Sequence, residues 1–563
     1  MTRIFIVFLM FASVSTQAQN PLFIPPVLSG PIYELNVQHG TKQFWPGINT
    51  PTYGVNGDIL APTLIMNKGE VVTLNVHNNL SSTTTMHWHG FHVAPIHDGG
   101  PHQIINSGAV WSPQFTILNN AGTFWYHPHG ENKTDLQVSR GIAGMIIIRD
   151  EAEAALNLPR TYGVDDIPLI VQTKSFDILH QIQIASQLDT LVMVNATVNA
   201  YQNVPAQVVR FRLLNGSSER SYFFGFSNNM SFSLIGTDGG LKSSPTSMNR
   251  LRLSPGERAE ILVDFSSLLE QTVNLMSYSS ELPNGIVGAQ TVGNGMAQIP
   301  EYSLNPLNGA DFILLQLNVV EQTANPVTTI PTTLIPYIPF SVADVDVERN
   351  VIMEPMMMGP EAMVEGPFGI DGVQFDMEVI NITCQLNDVE VWTITNQTMV
   401  AHPFHIHDIQ FNVINFNGNT PPPDQEGWKD VVLVMPQQSV SFITKFETFA
   451  DPEVPYMYHC HLLHHEDEGM MGSFRVVDPN LVSDNSVESF RSYPNPANDF
   501  LNVISDVRID RKSSVSIVDM HGRTHNTNSQ ISDKSLTIDT SGLSAGVYQV
   551  VLNGKNVIRF IKN

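Results

Sequence analysis

Histidines spaced two residues apart are the most chemically informative feature of this chain. Of its 19 histidines, eight form four His-x-His pairs, at His87–His89, His127–His129, His405–His407 and His459–His461. Between Glu151 and Ala401 the sequence has a single histidine, His180. Residues i and i+2 of a β-strand point to the same face, so each pair offers two imidazoles to one side. The spacing predicts a metal site with several ions, shared by the first and last thirds of the chain.

The ligand types around the last pair indicate which metal is bound. Cys460 lies between the two histidines of that pair, so its thiolate points to the opposite face of the strand. One strand can then serve two metal centres joined by a short covalent path for electrons. His402, Cys460, His465 and Met470 match the two histidines, one cysteine and distant methionine of a blue-copper site. Structural zinc is a weaker interpretation because the chain has no Cys-x-x-Cys pair.

The segments that must position these ligands have the pattern of β-strands. The runs 70–76, 208–214 and 389–394 are rich in β-branched residues, and an asparagine follows each of them within a few residues. Their similarity indicates one element used three times. Strands with frequent turns predict sandwiches or barrels. We therefore expect an all-β protein built from a triplicated β-sandwich.

Composition and charge exclude several classes of protein. The 563 residues are 42% hydrophobic and 14% charged, which excludes a disordered, collagen-like or coiled-coil chain. The formal net charge of −25 makes nucleic acid an unexpected partner, because an acidic surface repels phosphate groups. With two cysteines in this length, the chain is not a disulfide-dense scaffold.

Residues 1–18 have the pattern of a secretory signal peptide. Arg3 supplies the positive charge, Ile4–Val14 is the apolar stretch, and Thr16–Ala18 fits a cleavage site. The apolar stretch is too short to span a bilayer; a buried first strand is the alternative. No other segment has the length of a membrane helix. We expect an exported chain whose mature form has no transmembrane anchor.

The other end of the chain changes in composition after Asp478. Residues 479–489 are polar and linker-like, and the following tail contains Tyr493–Pro496 (YPNP) and Leu543–Tyr548 (LSAGVY). These segments resemble the C-terminal sorting domain of type IX secretion systems. The resemblance implies recognition by that machinery, passage through the periplasm, and a location at the outer cell surface or outside the cell. A small β-sandwich binding module is the alternative.

The histidine motifs taken together resemble those of three-domain multicopper oxidases. The set is H-x-H-G, H-x-H, H-x-x-H-x-H and H-C-H-x3-H-x4-M, and no ligand position is missing. The resemblance covers residues 21–478, and residues 98–108 and 124–150 are similar to the first domain of bacterial copper efflux oxidases. It implies three consecutive cupredoxin-like Greek-key β-sandwiches, at 21–150, 160–325 and 340–478, the middle one without copper ligands. A small β-sandwich sorting domain would follow at 490–563.

The resemblance also implies an activity and a role for each ligand. Members of this family take four electrons singly from a reductant and reduce O2 to water with four copper ions. The implied ligands are His402, Cys460, His465 and Met470 for type 1 copper, His87 and His405 for type 2 copper, and His89, His127, His129, His407, His459 and His461 for the type 3 pair. Two carboxylates, Asp98 and Glu466, match positions credited with proton delivery. For Asp98 the alternative is a turn residue. For Glu466 the alternative is a carboxylate that supports a ligand.

The sequence leaves the reductant open between Cu(I) and a small phenolic or aromatic molecule. Five methionines occur within eleven residues, at Met353, Met356, Met357, Met358 and Met363. Thioethers select Cu(I), and the segment resembles the copper-binding insert of efflux oxidases; packing of an irregular interdomain surface is the alternative. Efflux oxidases carry Asp and Met where this chain has Thr398 and Val400, which leaves room for a laccase-like oxidase.

Two further classes of function are weighed against an oxidase. A copper-sequestering protein without turnover would use the same ligands. The degenerate branch of this fold, which has a structural role, lacks the copper ligands that this chain retains. Cys384 is expected to be a buried thiol, since a bridge to Cys460 would destroy the type 1 site.

Overall fold

A computed structural model of the chain describes residues 19–293, 297–479, 490–505, 508–510, 512–519, 523–525, 527–552 and 555–563. The predicted signal peptide lies outside the described residues, as does all of the predicted linker except Pro479. The chain divides into two compact units, Met1–Asp478 and Pro479–Asn563. No helix among the described residues is long and apolar enough to cross a membrane.

Short strands connected by loops form nearly all of the larger unit. Its first third contains β1 (Asn20–Pro21), β2 (Val27–Ser29), β3 (Ile32–Trp45), β4 (Ile48–Val55), β5 (Thr63–Asn67), β6 (Val71–Asn78), β7 (His87–His89), β8 (Val110–Trp111), β9 (Gln114–Thr116), β10 (Gly122–His127), α1 (Thr134–Ser139), β11 (Gly144–Arg149) and α2 (Glu151–Ala154). Its second third contains β12 (Asp166–Phe176), β13 (Ile182–Gln183), β14 (Leu191–Val194), β15 (Thr197–Val198), β16 (Ala200–Pro205), β17 (Val208–Asn215), β18 (Tyr222–Phe226), β19 (Phe232–Thr237), β20 (Gly240–Met248), β21 (Leu251–Leu253), β22 (Arg258–Asp264), β23 (Thr272–Tyr278) and β24 (Asp311–Val320).

The last third and the smaller unit continue this pattern. The last third contains β25 (Val347–Pro355), α3 (Ala362–Glu365), β26 (Phe368–Ile370), β27 (Ile382–Gln385), β28 (Val389–Asn396), β29 (His402–Ile406), β30 (Asn412–Phe416), β31 (Val431–Val434), β32 (Ser439–Lys445), β33 (Tyr456–Cys460), α4 (Leu463–Asp467) and β34 (Met471–Val477). The smaller unit contains β35 (Phe490–Tyr493), β36 (Phe500–Ser505), β37 (Val515–Asp519), β38 (Thr524–His525), β39 (Ser529–Ile531), β40 (Ser535–Asp539), β41 (Gly546–Leu552) and β42 (Lys555–Lys562). Single 3-10 turns lie at Pro95–His97, Ser279–Glu281, Tyr302–Leu304 and Val342–Asp344.

The strands form a pair of sheets in each third. The first third has the sheets β2-β5-β11-β10-β7 and β4-β3-β6-β8, with β9 beside β6. The second has β1-β16-β24-β23-β18-β21 and β15-β14-β12-β17-β22-β19-β20, with β13 beside β12, and the third has β26-β25-β28-β32-β30 and β27-β34-β33-β29-β31. The smaller unit has two four-stranded sheets, β35-β36-β40-β39 and β38-β37-β41-β42. The all-β prediction is confirmed.

Alternating burial along the strands explains why each pair of sheets closes on a core. In β6, Val72, Leu74 and Val76 are fully buried, whereas the intervening residues are partly exposed. Apolar side chains with a period of two place one face of a strand against the core. The same alternation occurs in β28, where Trp392 and Ile394 face inward. A large hydrophobic cluster of buried residues lies in each third.

The asparagines that end the repeated strands make equivalent hydrogen bonds. Asn78, Asn215 and Asn396 are all buried. The side-chain oxygen of each accepts a hydrogen bond from the backbone N–H two residues later, at 2.8–3.1 Å. The side-chain nitrogen of each donates to a carbonyl four or five residues later and to a second, more distant carbonyl. The repeated sequence element thus has one repeated local structure.

A buried ion-pair network in the second third makes a hydrogen bond to the first third. Arg212 on β17 is buried, and its guanidinium donates to both carboxylate oxygens of Asp166, at 2.7 and 3.1 Å, and to Glu260, at 2.8 Å. It also donates to the hydroxyl of Thr123 on β10, at 2.9 Å. Strand β17 is buried on both faces, so its alternate arginines pair with carboxylates and not with solvent.

We expect Arg212→Met to lower the thermal unfolding midpoint. Removing one partner of a buried ion pair leaves uncompensated carboxylates and costs about 3–5 kcal/mol. Arg250→Met is the matched control, because its partner Glu281 is partly exposed and such pairs contribute about 1 kcal/mol or less. Equal midpoints for the two variants would contradict this account of the network.

Candidate metal centres

Strand pairing brings the four histidine pairs together. Strand β7 pairs with β10, which sets His87 opposite His127. Strand β29 pairs with β33, which sets His405 opposite His459 and Phe404 opposite Cys460. Side chains of opposed residues lie on the same face of a sheet, so each pairing gathers imidazoles from two strands. The ten clustered histidines named above are all buried.

In each of two groups of three histidines, one ring nitrogen lies within 3.4 Å of a ring nitrogen of the other two. In the first group, Nδ1 of His89 lies 3.4 Å from Nε2 of His127 and 3.3 Å from Nε2 of His461. In the second, Nε2 of His459 lies 3.1 Å from Nε2 of His129 and 3.4 Å from Nε2 of His407. Each group draws on both the first and the last third of the chain. Each has the donor atoms of a single metal ion.

Hydrogen bonds to the outer ring nitrogens fix how these imidazoles are oriented. Nδ1 of His127 lies 2.8 Å from the Pro128 carbonyl, and Nδ1 of His459 lies 3.0 Å from the Cys460 carbonyl. Because a carbonyl oxygen only accepts, these nitrogens carry the proton and the other ring nitrogen keeps its lone pair. Such outer partners are typical of histidines that ligate metals.

His87 and His405 supply the clearest test of whether the site fits a metal. Nδ1 of His87 donates to the Asp98 carbonyl at 2.9 Å, and Nδ1 of His405 donates to the Asp430 carbonyl at 2.7 Å. Nε2 of each ring is buried without a hydrogen-bond partner among the described residues. Burial, together with neighbouring histidines, holds the pKa of His405 well below its usual value. Nδ1 is occupied in both rings, so Nε2 of each is the atom left to bind a copper ion.

A separate group lies on the opposite face of β33. Sγ of Cys460 lies 3.4 Å from Nδ1 of His402 and 4.0 Å from Nδ1 of His465, and the two Nδ1 atoms are 3.3 Å apart. Burial raises the pKa of the Cys460 thiol and lowers that of His402 to about 3. Met470 is fully buried in the same hydrophobic cluster as Cys460. A buried thiol beside two neutral imidazoles fits a copper ion, which binds the thiolate and releases its proton.

Thr398 covers the outer edge of the His402 ring. Its hydroxyl lies 2.8 Å from Nε2 of His402 and 3.0 Å from the Val400 carbonyl. Because Nδ1 of His402 faces Cys460, Nε2 carries the proton and donates to the hydroxyl. Thr398 is fully buried, and it places a hydroxyl instead of a carboxylate beside this ring nitrogen.

Both predicted proton carriers contact clustered histidines. Oδ2 of Asp98 lies 2.7 Å from Nδ1 of His407. Glu466 lies 3.3 Å from Nδ1 of His129 and 3.2 Å from Nδ1 of His459. Burial alone would raise the pKa of Asp98 and of Glu466, but the neighbouring imidazoles outweigh it and hold each pKa well below its usual range. Asp98 therefore contacts His87 and His407, and Glu466 contacts His129 and His459.

The methionines of the Met-rich segment differ widely in burial. Met353 is fully buried in the core of the last third. Met357 and Met358 are 61% and 100% exposed, and Met356 and Met363 are partly buried. The described positions thus divide the segment between packing and solvent.

The two cysteines are free, as expected. Cys384 is buried on β27, and its thiol lies 3.7 Å from Oε2 of Glu390. Burial and the Glu390 carboxylate raise the pKa of this thiol well above its usual value. Cys384 is therefore an inert structural thiol.

Two open clefts reach the clusters. A cleft of about 1240 Å³ is lined by His465, with Val364 and Val400 among its apolar lining residues and Glu219, Glu365 and Glu468 among its charged ones. A second cleft of about 730 Å³ is lined by His129 and Glu466 and shares Glu468 with the first. One cleft thus leads towards the Cys460 group and the other towards the histidine cluster.

Sequence reasoning did not identify Asp430 as part of the site. Its Oδ1 lies 3.2 Å from Nε2 of His89. Asp430 is buried and immediately precedes β31, outside every His-x-His motif. A spacing pattern could not find it, because its partner His89 is 341 residues away in the sequence.

Comparisons with known proteins agree with this geometry. Family models described as "Multicopper oxidase" match residues 36–153, 106–274 and 343–480, and the "Secretion system C-terminal sorting domain" model matches residues 491–562. Multicopper oxidase mco of Staphylococcus haemolyticus is 31% identical over 481 residues, which cover 82% of this chain and 94% of that protein. Cell division protein FtsP of Escherichia coli is 30% identical over 467 residues, which cover 81% and 93%.

Solved structures give the same picture. The laccase-like multicopper oxidase CueO of Ochrobactrum sp. superposes with a TM-score of 0.71 at 32% identity, covering 81% of this chain and all of that one. Its reported oxidase activity is towards lignin model compounds and lignosulfonate. The structural neighbours have the cupredoxin fold, which confirms that part of the fold prediction.

Proposed function

Because this chain belongs to the multicopper oxidase family and is an oxidoreductase, we propose that it couples oxidation of a small reductant to the reduction of O2 to water with four copper ions. The donor atoms at Cys460 and in the histidine cluster support this proposal above all other observations. Groups of donor atoms that are close enough together to hold a metal ion occur both at Cys460 and within the histidine cluster, which supports binding of several ions. The ligand set also separates the chain from the degenerate branch of this fold, which lacks copper ligands and has a structural role.

The proposed ligands follow the geometry of the groups. Type 1 copper takes His402, Cys460, His465 and Met470, and type 2 copper takes His87 and His405. The type 3 ions take the two groups of three, His89 with His127 and His461, and His129 with His407 and His459. When bound, copper supplies single-electron uptake at the Cys460 site and reduction of O2 in the histidine cluster. His407 also belongs to a group with His87 and His405. Because its Nε2 faces His459, we assign it to the type 3 pair.

Protein side chains supply protons and hold the ligands in this scheme. Reduction of O2 to water consumes protons, and Glu466 lies where the second cleft meets the cluster. A proton from solvent can bind a Glu466 carboxylate oxygen, which is already within 3.3 Å of two ligand rings. Asp98 holds the rings of His87 and His407 from the other side, through its backbone carbonyl and its carboxylate.

A small organic reductant is the favoured substrate. The open cleft at His465 can admit a molecule of that size. Thr398 places a hydroxyl at the His402 edge, where copper efflux oxidases carry an aspartate. The exposed thioethers of Met357 and Met358 keep Cu(I) as a second candidate.

Oxygen consumption by the copper-loaded protein tests the proposal. We expect rapid uptake with a phenolic dye and slow uptake with Cu(I), because the dye can enter the cleft at His465. The reverse ratio would assign the chain as a cuprous oxidase and give the exposed methionines a role. No uptake with either reductant, at full copper loading, would indicate a copper-sequestering protein.

The sorting domain points to export through type IX secretion. We propose that the oxidase works at the outer cell surface or outside the cell, after passage through the periplasm. Its reductant would then be a molecule found outside the cell.

A further inference from the structure

The second third of the chain carries no predicted copper ligand, yet one of its arginines reaches the cluster. Arg258, the first residue of β22, is buried and forms a bidentate ion pair with Asp430. Nη1 donates to Oδ1 and Nη2 donates to Oδ2, both at 2.6 Å. Asp430 in turn lies beside His89, as described above. The second third is thus connected to a cluster imidazole through one side chain.

The hydrogen bonds of Arg258 are fully satisfied. Besides Asp430, its guanidinium donates to the carbonyls of Thr123, Gly256 and Asp238, at 3.2, 3.0 and 2.8 Å. A guanidinium has five N–H donors, and each of the five has an acceptor here. Thr123 lies on β10, the strand that ends at His127. The arginine is therefore held rigidly between all three thirds of the chain.

Asp430 determines which nitrogen of His89 faces the cluster. A carboxylate paired with arginine only accepts hydrogen bonds, so Nε2 of His89 carries the proton. The lone pair is then on Nδ1, which faces His127 and His461. The other type 3 imidazoles whose contacts are described above turn Nε2 inward, so His89 is the exception that needs its own partner.

Two glycines make room for this arrangement. A Cβ atom on Gly90, the glycine of the H-x-H-G motif, would overlap Oδ2 of Asp430 and lie 2.9 Å from Nη2 of Arg258. A Cβ atom on Gly256 would lie 2.8 Å from the His461 ring. The motif glycine is therefore explained by the Asp430–Arg258 pair, and a loop of the second third packs directly on a ligand ring.

We infer that Asp430 and Arg258 are positioning residues that fix His89 in the tautomer and orientation required for the type 3 copper site. Asp430 is not itself a ligand in this scheme, although it groups with His89 and His405, because Arg258 occupies both of its oxygens. The inference rests on the proposed copper assignment. It gives the ligand-free second third a direct part in the metal site.

Copper binding by Asp430→Asn and Arg258→Met tests the inference, with Arg212→Met as the control. Arg212 is also a buried arginine paired with carboxylates, but its partners Asp166 and Glu260 contact arginines and Thr123 and no clustered histidine. Loss of an outer partner lowers metal affinity about 10–100-fold. In competition with a chelator, we expect both test variants to lose the near-ultraviolet absorbance of the paired copper ions and keep the blue absorbance of the Cys460 site. The control should keep both.

Other outcomes are equally informative. Full copper content and an unchanged near-ultraviolet band in both test variants, with only a lower unfolding midpoint, would overturn the inference and leave Arg258 a structural residue. Arg258→Lys keeps the charge and should restore part of the copper affinity if positioning is the cause. Failure of the copper assignment on which the inference rests is visible separately, because the wild-type chain would then lack the copper absorbance as well. Absence of oxygen uptake by a fully copper-loaded wild type would reject the oxidase proposal alone.

Discussion

Cys460→Ser is expected to abolish both the blue colour and turnover. The thiolate is the soft ligand that gives a blue-copper site its strong visible absorbance, and a serine hydroxyl is a poor ligand for copper. Cys460 is fully buried between the His402 and His465 rings, so solvent cannot replace the lost ligand. Its neighbours His459 and His461 lie in the two proposed type 3 groups. The substitution therefore removes the thiolate through which electrons would pass from one site to the other.

Cys384→Ser is the matched control for this substitution. Both cysteines are free and buried in the last third, but Cys384 contacts Glu390 and no clustered histidine. The control should keep its visible absorbance and its oxygen uptake. Copper content should separate the variants further, because Cys460→Ser should lose the type 1 ion and retain the copper held by histidines alone. A Cys460→Ser protein that stays blue would refute the ligand assignment.

The ligand spacing could be interpreted from the sequence because it depends on local strand geometry. An H-x-H pair presents two imidazoles to one face in any strand, and Cys460 must then point the other way. The end-of-strand asparagines similarly indicated a repeat, since Asn78, Asn215 and Asn396 occupy one local structure. Fold class and candidate ligands therefore followed from patterns that span only a few residues.

The contacts between distant residues could not be predicted in this way. Asp430 meets His89 and Arg258 only because three pairs of sheets pack together, and no periodicity connects these positions. The division of the Met-rich segment is of the same kind. Its spacing does not distinguish Met353, which is buried on β25, from Met358, which is fully exposed, because burial depends on the sheet that packs against each residue.

Glu466→Gln is the second substitution for which we expect a large effect. The amide keeps the size of the side chain but cannot bind and release a proton at the same position. Loss of a positioned proton donor lowers rates by about 10²–10⁴-fold. Turnover with saturating reductant should fall by about 10²-fold or more. Glu466 lies on α4 next to His465, yet its carboxylate faces His129 and His459, so the Cys460 site should be unaffected.

A comparison of two half-reactions checks where this loss arises. Without O2, the reductant should bleach the blue absorbance of Glu466→Gln as fast as that of the wild type, because electron uptake at the Cys460 site involves no Glu466 contact. Oxygen uptake by the reduced protein should be slow. Glu447→Gln is the control, since this carboxylate is exposed, pairs with Lys445 and lies in neither cleft that reaches the clusters. If Glu466→Gln has normal copper content and reacts with O2 at the wild-type rate, its carboxylate only holds ligand rings, and protons reach the cluster from the Asp98 side.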